Sequence, residues 1–259
     1  MSTGHSGSRS AVVHIENGDA PGPFLIVCEH ASNNIPPAFG TLGLDAAARK
    51  AHIAWDPGAL GVARRLATNL GAPLVHAGVS RLVYDLNRPP SSAGAMTQKS
   101  ESYVVPGNQG LTPEARQKRT SEIYLPFHDA LHAEIARRMA LGTPPVLVTI
   151  HSFTPVWFGK PRAVEFGIIH DADPTLAKAV LAEAKARNGL DCRLNEPYSA
   201  ADEVTHTLRL HTTPYGLKSV MLEVRNDLIA DAGAETAMAD GLTPVLSAAL
   251  RACEQEVAA

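Results

Sequence analysis

Runs of consecutive apolar residues recur along the chain, and such runs are typical of strands that are buried on both faces of a sheet. Two further segments with apolar or alternating patterns, 82–84 and 205–212, are predicted as shorter strands. The apolar runs lie at 24–28, 73–77, 145–150, 164–169 and 219–224.

Helical patterns separate these strands. Asp56 and Pro57 suit the N-cap and first turn of one helix, which Gly71 ends. A long helix from Thr112 is expected to kink or break near Pro126. The predicted helices span 45–54, 57–70, 112–138, 175–187 and 235–254.

Alternation of apolar strands with helices predicts a mostly parallel or mixed central sheet with helices on both faces. Residues 1–10 are polar and predicted to be a disordered tail, so that 11–259 forms a single domain. The segment 89–113, rich in Ser, Gly, Pro and Asn, is predicted to be a functional loop or lid. In such folds, ligands bind at the carboxyl ends of the strands.

Composition narrows the class of protein. The 259 residues are 45% hydrophobic and 19% charged, which is ordinary for a globular enzyme. A net charge of −3 indicates no nucleic-acid partner. Three scattered cysteines without a Cys-x-x-Cys pair favour reduced thiols in a cytoplasmic protein. No apolar run reaches the roughly 20 residues of a membrane span.

Two histidines, His30 and His151, each follow an apolar run. Histidines at neighbouring strand ends can share a metal ion with one carboxylate and a water molecule, as in a catalytic zinc site. Asp56, after a loop, is the favoured carboxylate, because Glu29 is adjacent to His30 and should point to the opposite face. His52 is a weaker nitrogen alternative, and any one of these histidines taken alone is more often a hydrogen-bonded core residue than a metal ligand.

Glu223 lies inside the apolar strand Val-Met-Leu-Glu-Val, where a carboxylate is costly unless it is paired, metal-bound or catalytic. Such a glutamate beside a zinc-bound water can act as a general base. The structural alternative is an ion pair with Arg225. His128 and His132 are spaced as on a helix but lack the glutamate of His-Glu-x-x-His, so they are predicted to form an ordinary helix face.

The stretch 80–88, Ser-Arg-Leu-Val-Tyr-Asp-Leu-Asn-Arg, ends before two prolines and should lie at the mouth of the sheet. The amide of Asn87 and the guanidinium of Arg88 suit a carboxylate, and Arg81 adds a second cation. Alternatively, Arg81 and Arg88 are surface charges that pair with Asp85.

In this order, these residues resemble the N-formylglutamate amidohydrolase family, which is akin to the zinc carboxypeptidases and to the aspartoacylase and succinylglutamate desuccinylase enzymes. The resemblance covers about 24–230, and Asp85-Leu-Asn-Arg88 is its most specific element. The matching stretches are 27–36, 56–59, 80–90, 149–152 and 222–225.

The resemblance implies a phosphorylase/hydrolase-like, zinc carboxypeptidase-like fold: a three-layer α/β/α arrangement around a mixed, mostly parallel sheet. It implies one zinc ion. Asn33 stands where the carboxypeptidase-like relatives have a glutamate ligand, and Asp56 is taken as the substitute. The implied assignment is His30, His151 and Asp56 as metal ligands, Glu223 as general base, Arg81 as the group that polarises the carbonyl, and Asn87, Arg88 and Arg225 as substrate-binding residues.

The function implied is zinc-dependent removal of a small acyl group, formyl by family, from an N-acylated amino acid such as glutamate, a step of histidine breakdown in the family. A carboxypeptidase-like peptidase or another deacylase is an alternative enzyme. A metal-free protein that only binds carboxylates on the same fold is an alternative of another class.

Overall fold

A seven-stranded mixed sheet forms the centre of the protein in a computed structural model that describes residues 12–187 and 189–258. The predicted tail, 1–10, lies outside the described residues. The order across the sheet is β1-β3-β2-β4-β7-β5-β6. The strands are β1 (Val13–Glu16), β2 (Phe24–Cys28), β3 (Leu74–Ala77), β4 (Val146–Phe153), β5 (Phe166–Ile169), β6 (Cys192–Leu194) and β7 (Ser219–Arg225).

Four neighbouring strands, β3, β2, β4 and β7, run parallel, which makes the predicted mixed, mostly parallel sheet correct. At one edge β1 runs antiparallel to β3. At the other edge β5 runs antiparallel to β7, and β6 follows β5 in parallel. The parallel strands therefore bring their carboxyl ends to one edge of the sheet.

Helices cover both faces of the sheet. Ile26 and Cys28 of β2 pack on the face of α1, α4 and α6, whereas Leu25 and Val27 pack on the face of α3. Burial on both faces explains why the strand sequences are continuously apolar. The helices are α1 (Ala59–Leu70), α2 (Pro113–Arg119), α3 (Leu125–Ala140), α4 (Thr175–Arg187), α5 (His206–His211) and α6 (Ala232–Ala258).

The predicted interruption of the long helix near Pro126 is confirmed. A π-helical segment, Thr120–Tyr124, separates α2 from α3, and Pro126 follows at the start of α3. The predicted loop 89–113 contains a small hairpin, Lys99–Ser100 with Tyr103–Val104. Within the described ranges, no helix combines the length and the apolar character that a membrane crossing requires.

Four local predictions were wrong. Residues 82–84 form buried turns rather than a strand, and 205–212 contains α5. The segment 45–54 holds only a short 3-10 turn, Ala48–Lys50. The N-cap of α1 is Gly58, so the carboxylate of Asp56 is not used for capping.

Candidate active site

Three side-chain atoms converge at the carboxyl edge of the sheet. Asp56 Oδ2 lies 3.2 Å from His30 Nδ1 and 2.9 Å from His151 Nδ1, and the two nitrogens are 3.1 Å apart. All three side chains are buried. The structure thus brings together the three residues that the sequence suggested as metal ligands, and their donor atoms lie close enough to share one ion.

Backbone geometry places these side chains. His30 comes two residues after β2, and His151 lies inside β4, which continues beyond the predicted end at 150. The Asp56 backbone N–H donates to the carbonyl of His30 over 2.9 Å, which fixes the loop beside β2. Gly58 follows with φ 78, a left-handed conformation that turns the chain into α1.

The outer nitrogen of each histidine faces a second carboxylate. His30 Nε2 bonds Asp85 Oδ1 over 2.8 Å, and His151 Nε2 lies 3.1 Å from Glu29 Oε2. The contact is a hydrogen bond at His30, whereas at His151 the two atoms lie at ion-pair distance without hydrogen-bond geometry. In both cases the negative charge of the carboxylate favours the hydrogen on Nε2 and leaves the lone pair of Nδ1 directed inward. Glu29 is not one of the three clustered ligand residues, because its carboxylate meets His151 at the outer nitrogen.

This donor set fits a divalent cation. With the hydrogens on Nε2, two imidazole lone pairs and a carboxylate oxygen face one another without a proton between them. Two nitrogens and one oxygen are the ligands of many catalytic zinc sites, which keep a fourth position for water. The outer carboxylates match the partners that usually orient metal-binding histidines.

The pKa shifts of the three clustered residues indicate a site that attracts positive charge. Burial lowers the pKa of His151, but Glu29 and Asp56 outweigh burial and hold it well above the ordinary value. Burial also lowers the pKa of His30, as Arg81 does, and Asp85 and Asp56 reverse that effect. Burial raises the pKa of Asp56, whereas the two histidines lower it by more. A divalent cation would compete with protons for the same position.

Glu223 lies next to this cluster. It pairs in register with His151 across β4 and β7, and its carboxylate is buried. Burial raises its pKa to about 7, with a further contribution from Asp56 that His151 opposes. Among the described residues, its Oε2 has no hydrogen-bond partner. A carboxylate with a pKa near neutrality can both accept and return a proton.

The cluster opens into a cavity of about 350 Å³, a volume suited to a small molecule. Aromatic and apolar side chains form part of its wall, and charged side chains face it. The lining includes His30, His52, Asp56, Arg81, Asn87, Arg88, His151, Trp157, Tyr198, Asp202 and Glu223.

The predicted cations differ in how much of their hydrogen-bonding capacity is already used. Arg81 donates from Nε and Nη2 to Asp85 Oδ2 and from Nη1 to Asp56 Oδ1. Part of the alternative prediction, that Arg81 pairs with Asp85, therefore holds. Arg88 uses Nη1 for the carbonyls of Asn87 and Glu203.

Asn87 lines the cavity, but its amide also supports the protein. Its Oδ1 accepts from the backbone N–H of Thr207 over 3.0 Å, and its Nδ2 donates to the carbonyl of Val204. Both ends of the amide thus anchor the start of α5 beside Arg88. One hydrogen of Nδ2 is left for a ligand.

The structure does not bring Arg225 to the cavity. Its guanidinium donates to Asp227, to Glu165 and to two backbone carbonyls, and Arg225 is not among the residues that line the cavity. This corrects both the inclusion of Arg225 among the substrate-binding residues and its alternative pairing with Glu223. His52 bonds Glu101 over 3.0 Å, and His52 is not one of the three clustered ligand residues.

Sequence reasoning missed Tyr198, which lines the cavity from the loop after β6. It also gave no role in the site to Asp85 beyond a surface pairing, although this residue is 4% exposed and holds both His30 and Arg81. An aspartate two residues before Asn87 in an otherwise apolar stretch was the available signal for Asp85. The sequence around Tyr198 offered none.

Comparison with known proteins gives concordant results. The family model of N-formylglutamate amidohydrolase matches residues 22–230. An N-formylglutamate deformylase from Pseudomonas putida is 30% identical over 156 residues, which cover 54% of this chain and 58% of that enzyme.

Two solved structures are similar over nearly the whole chain. A gene product from Agrobacterium tumefaciens is 53% identical with a TM-score of 0.92, over 94% of this chain and 96% of that one. An N-formylglutamate amidohydrolase from Ralstonia eutropha is 20% identical with a TM-score of 0.64, over 95% and 98% of the two chains. The second similarity supports the fold alone.

Proposed function

Because the chain belongs to the N-formylglutamate amidohydrolase family, we propose that it hydrolyses the amide bond of an N-acyl amino acid, with N-formylglutamate as the first candidate substrate. Water adds to the formyl carbon, the carbon–nitrogen bond breaks, and formate and glutamate leave. The observation that carries this proposal is the buried cluster of His30, Asp56 and His151 with the uncompensated carboxylate of Glu223 beside it.

We further propose that His30, Asp56 and His151 hold one zinc ion and that the fold is of the zinc carboxypeptidase-like kind. When bound, zinc supplies Lewis acidity that makes water more acidic and an amide carbonyl more electrophilic. Asp85 and Glu29 keep the two imidazoles in the tautomer that this binding requires.

Glu223 is the general base. Its carboxylate accepts a proton from the attacking water and delivers it to the nitrogen of the departing amino acid, which leaves as a neutral amine. A pKa of about 7 suits both halves of this transfer. Arg81, tied to Asp85 and Asp56, places its positive charge beside the reacting carbonyl.

Arg88 holds a substrate carboxylate at the other part of the cavity, with Asn87 beside it. Only Nη1 of Arg88 is used by backbone carbonyls, so the remaining guanidinium hydrogens can form a charge-assisted pair with a carboxylate. Asn87 contributes mainly by fixing the backbone from which Arg88 projects.

The test is a hydrolysis assay of zinc-loaded protein against N-formyl, N-acetyl and N-succinyl amino acids, including amidated N-formylglutamate. We expect fastest turnover of N-formylglutamate, loss of activity on chelation and its return with zinc. His151→Ala should bind no zinc, whereas His14→Ala, at an exposed position of β1, should behave as the wild type. Absence of both zinc binding and hydrolysis would favour a non-catalytic carboxylate-binding protein.

A further inference from the structure

Arg162 occupies an unusual position beside the cavity. It follows a short hairpin, Val156–Trp157 with Lys160–Pro161, and its guanidinium lies over three aromatic rings. The distances from its central carbon to the ring centroids are 5.5 Å for Phe153, 4.8 Å for Trp157 and 5.1 Å for Tyr198. Cation–π contacts of this kind hold a guanidinium in place without neutralising its charge.

Among the described residues, no carboxylate lies within ion-pair distance of Arg162. Arg81 and Arg225, by contrast, each form ion pairs with two carboxylates. The side-chain hydrogen bonds of Arg162 go instead from Nη1 to the hydroxyl of Tyr198, over 3.1 Å, and to the carbonyl of Thr154 at the 3.5 Å limit. Within the part of the chain that the structure describes, the hydroxyl of Tyr198 is thus the side-chain oxygen to which Arg162 donates.

This contact fixes the hydrogen-bonding role of Tyr198. A guanidinium can only donate, so the phenolic oxygen is the acceptor and its own hydrogen remains for another partner. No acceptor for that hydrogen occurs among the described residues, and the side chain lines the same cavity as Glu223 and Arg81. Burial and the charge of Glu223 raise the pKa of Tyr198, which keeps the hydroxyl protonated.

We propose that Tyr198 donates a hydrogen bond to the substrate amide oxygen as negative charge develops on it, and that Arg162 is the positioning residue that holds and polarises this hydroxyl. The inference rests on the proposed amidohydrolase function. All three guanidinium nitrogens of Arg81 already donate to Asp56 or Asp85. A second residue that donates to the oxygen of the reacting carbonyl would therefore add to its stabilisation. A donor aimed at charge that exists only in the transition state lowers the barrier without tightening substrate binding.

Kinetics of single and double variants test both parts. Tyr198→Phe removes only the hydroxyl, and we expect kcat to fall by about 10²–10³-fold with KM changed little, the usual cost of losing one such donor. Arg162→Met should lower kcat in the same way but by less. The double variant should be no slower than Tyr198→Phe alone, because Arg162 acts through the hydroxyl. Arg187→Met, on the exposed side of α4, is the matched control.

A readout independent of turnover accompanies the kinetics. Arg162 lowers the pKa of Tyr198, so Arg162→Met should raise that pKa in an ultraviolet titration, with the Tyr198→Phe spectrum used to isolate the residue. Arg162→Lys, which keeps a donor and a charge, should recover part of kcat. Melting temperatures identify any variant that has lost its fold.

Several results would overturn the inference. If Tyr198→Phe left both kcat and KM unchanged, the hydroxyl would have no part in the reaction. If it raised KM and left kcat unchanged, the hydroxyl would bind the substrate in the ground state only. Additive losses in the double variant would show that Arg162 does not act through Tyr198. A wild type that hydrolyses no member of the substrate panel would overturn the proposed function together with this inference, whereas an active wild type with an equally active Tyr198→Phe overturns only the inference.

Discussion

At the scale of single residues, four buried carboxylates lie close together and differ in their partners. Asp56 faces the Nδ1 atoms of both histidines, whereas Asp85 and Glu29 each lie beside the Nε2 atom of one histidine. Glu223 has no such partner, and its pKa is the one that rises to about 7. In the proposed function, these different environments correspond to a metal ligand, two orienting groups and a general base among residues of the same chemical type.

We expect Glu223→Gln to fold and bind zinc like the wild type but to turn over about 10²–10⁴-fold more slowly, because glutamine keeps the shape and cannot transfer a proton. The measurements are kcat, zinc content and melting temperature on the same preparation. Glu235→Gln, in α6 and away from the cavity, is the control. A zinc-loaded Glu223→Gln with wild-type kcat would end the proposed mechanism.

The apolar runs drew attention to His30, His151 and Glu223, whereas Asp56 was predicted from its position after a loop at the start of a helix. The sequence could not identify the partners across the site. The distance between Asp85 and His30 is set by the packing of the 80–88 turns against the end of β2, and no spacing along the chain encodes it. Arg225 illustrates the opposite error, since residues two apart on one strand need not serve the same site.

At the scale of elements, the five continuous apolar runs were predictable as strands, whereas the structures of 82–84 and 205–212 were not predictable. Residues 82–84 are apolar because they are buried, but Ser80 holds them in turns through its carbonyl and hydroxyl. In 205–212, alternation suggested a strand, whereas the buried positions 207, 208 and 211 follow the period of a helix. The apolar content of a segment therefore indicates that it is buried, but does not by itself distinguish a strand from a turn or a helix.

Gly167 in β5 tests how tightly the sheet holds Glu223. A Cβ at this position would lie 2.1 Å from the carbonyl oxygen of Glu196 and 3.2 Å from Cβ of Glu223, its partner in register. Gly167→Ala should therefore lower the free energy of unfolding by about 1–3 kcal/mol, the usual cost of overpacking, and also lower kcat.

The matched control is Gly241→Ala in the exposed middle of α6, where a Cβ would meet nothing within 4 Å. That change should raise the free energy of unfolding by about 0.5–1 kcal/mol, because alanine favours the helix over glycine. Denaturant unfolding of both variants gives the comparison. Equal stability of Gly167→Ala and wild type would mean that the β5 backbone moves freely away from β7.

At the scale of the whole molecule, a second set of histidines joins the helical layer to the site. His128 Nε2 donates to the carbonyl of Leu86 over 2.9 Å, and its Nδ1 lies 2.8 Å from Nε2 of His211. His206 bonds the hydroxyl of Tyr124. His128 and His132 both lie on α3, and His128 is on its buried face.

The contact between His128 and His211 requires that at least one of the two imidazoles is neutral. Burial, reinforced by neighbouring histidines, lowers the pKa of His128 to about 3 and that of His211 to about 4. In the unfolded chain the same groups titrate near the ordinary value of about 6.5. Below that pH the unfolded state binds protons that the folded state does not, so stability falls as the pH falls toward 4.

Replacing His211 with Gln isolates this effect, because an amide can still donate to His128 Nδ1 but does not titrate. With an unfolded pKa of about 6.5 and a folded pKa of about 4, the wild type should lose about 2 kcal/mol more free energy of unfolding than His211→Gln between pH 7 and pH 5. Denaturant unfolding at both pH values measures the difference, and contributions from groups that the two proteins share cancel, including the metal-site residues. Parallel losses in the two proteins would mean that the fold does not lower the pKa of His211.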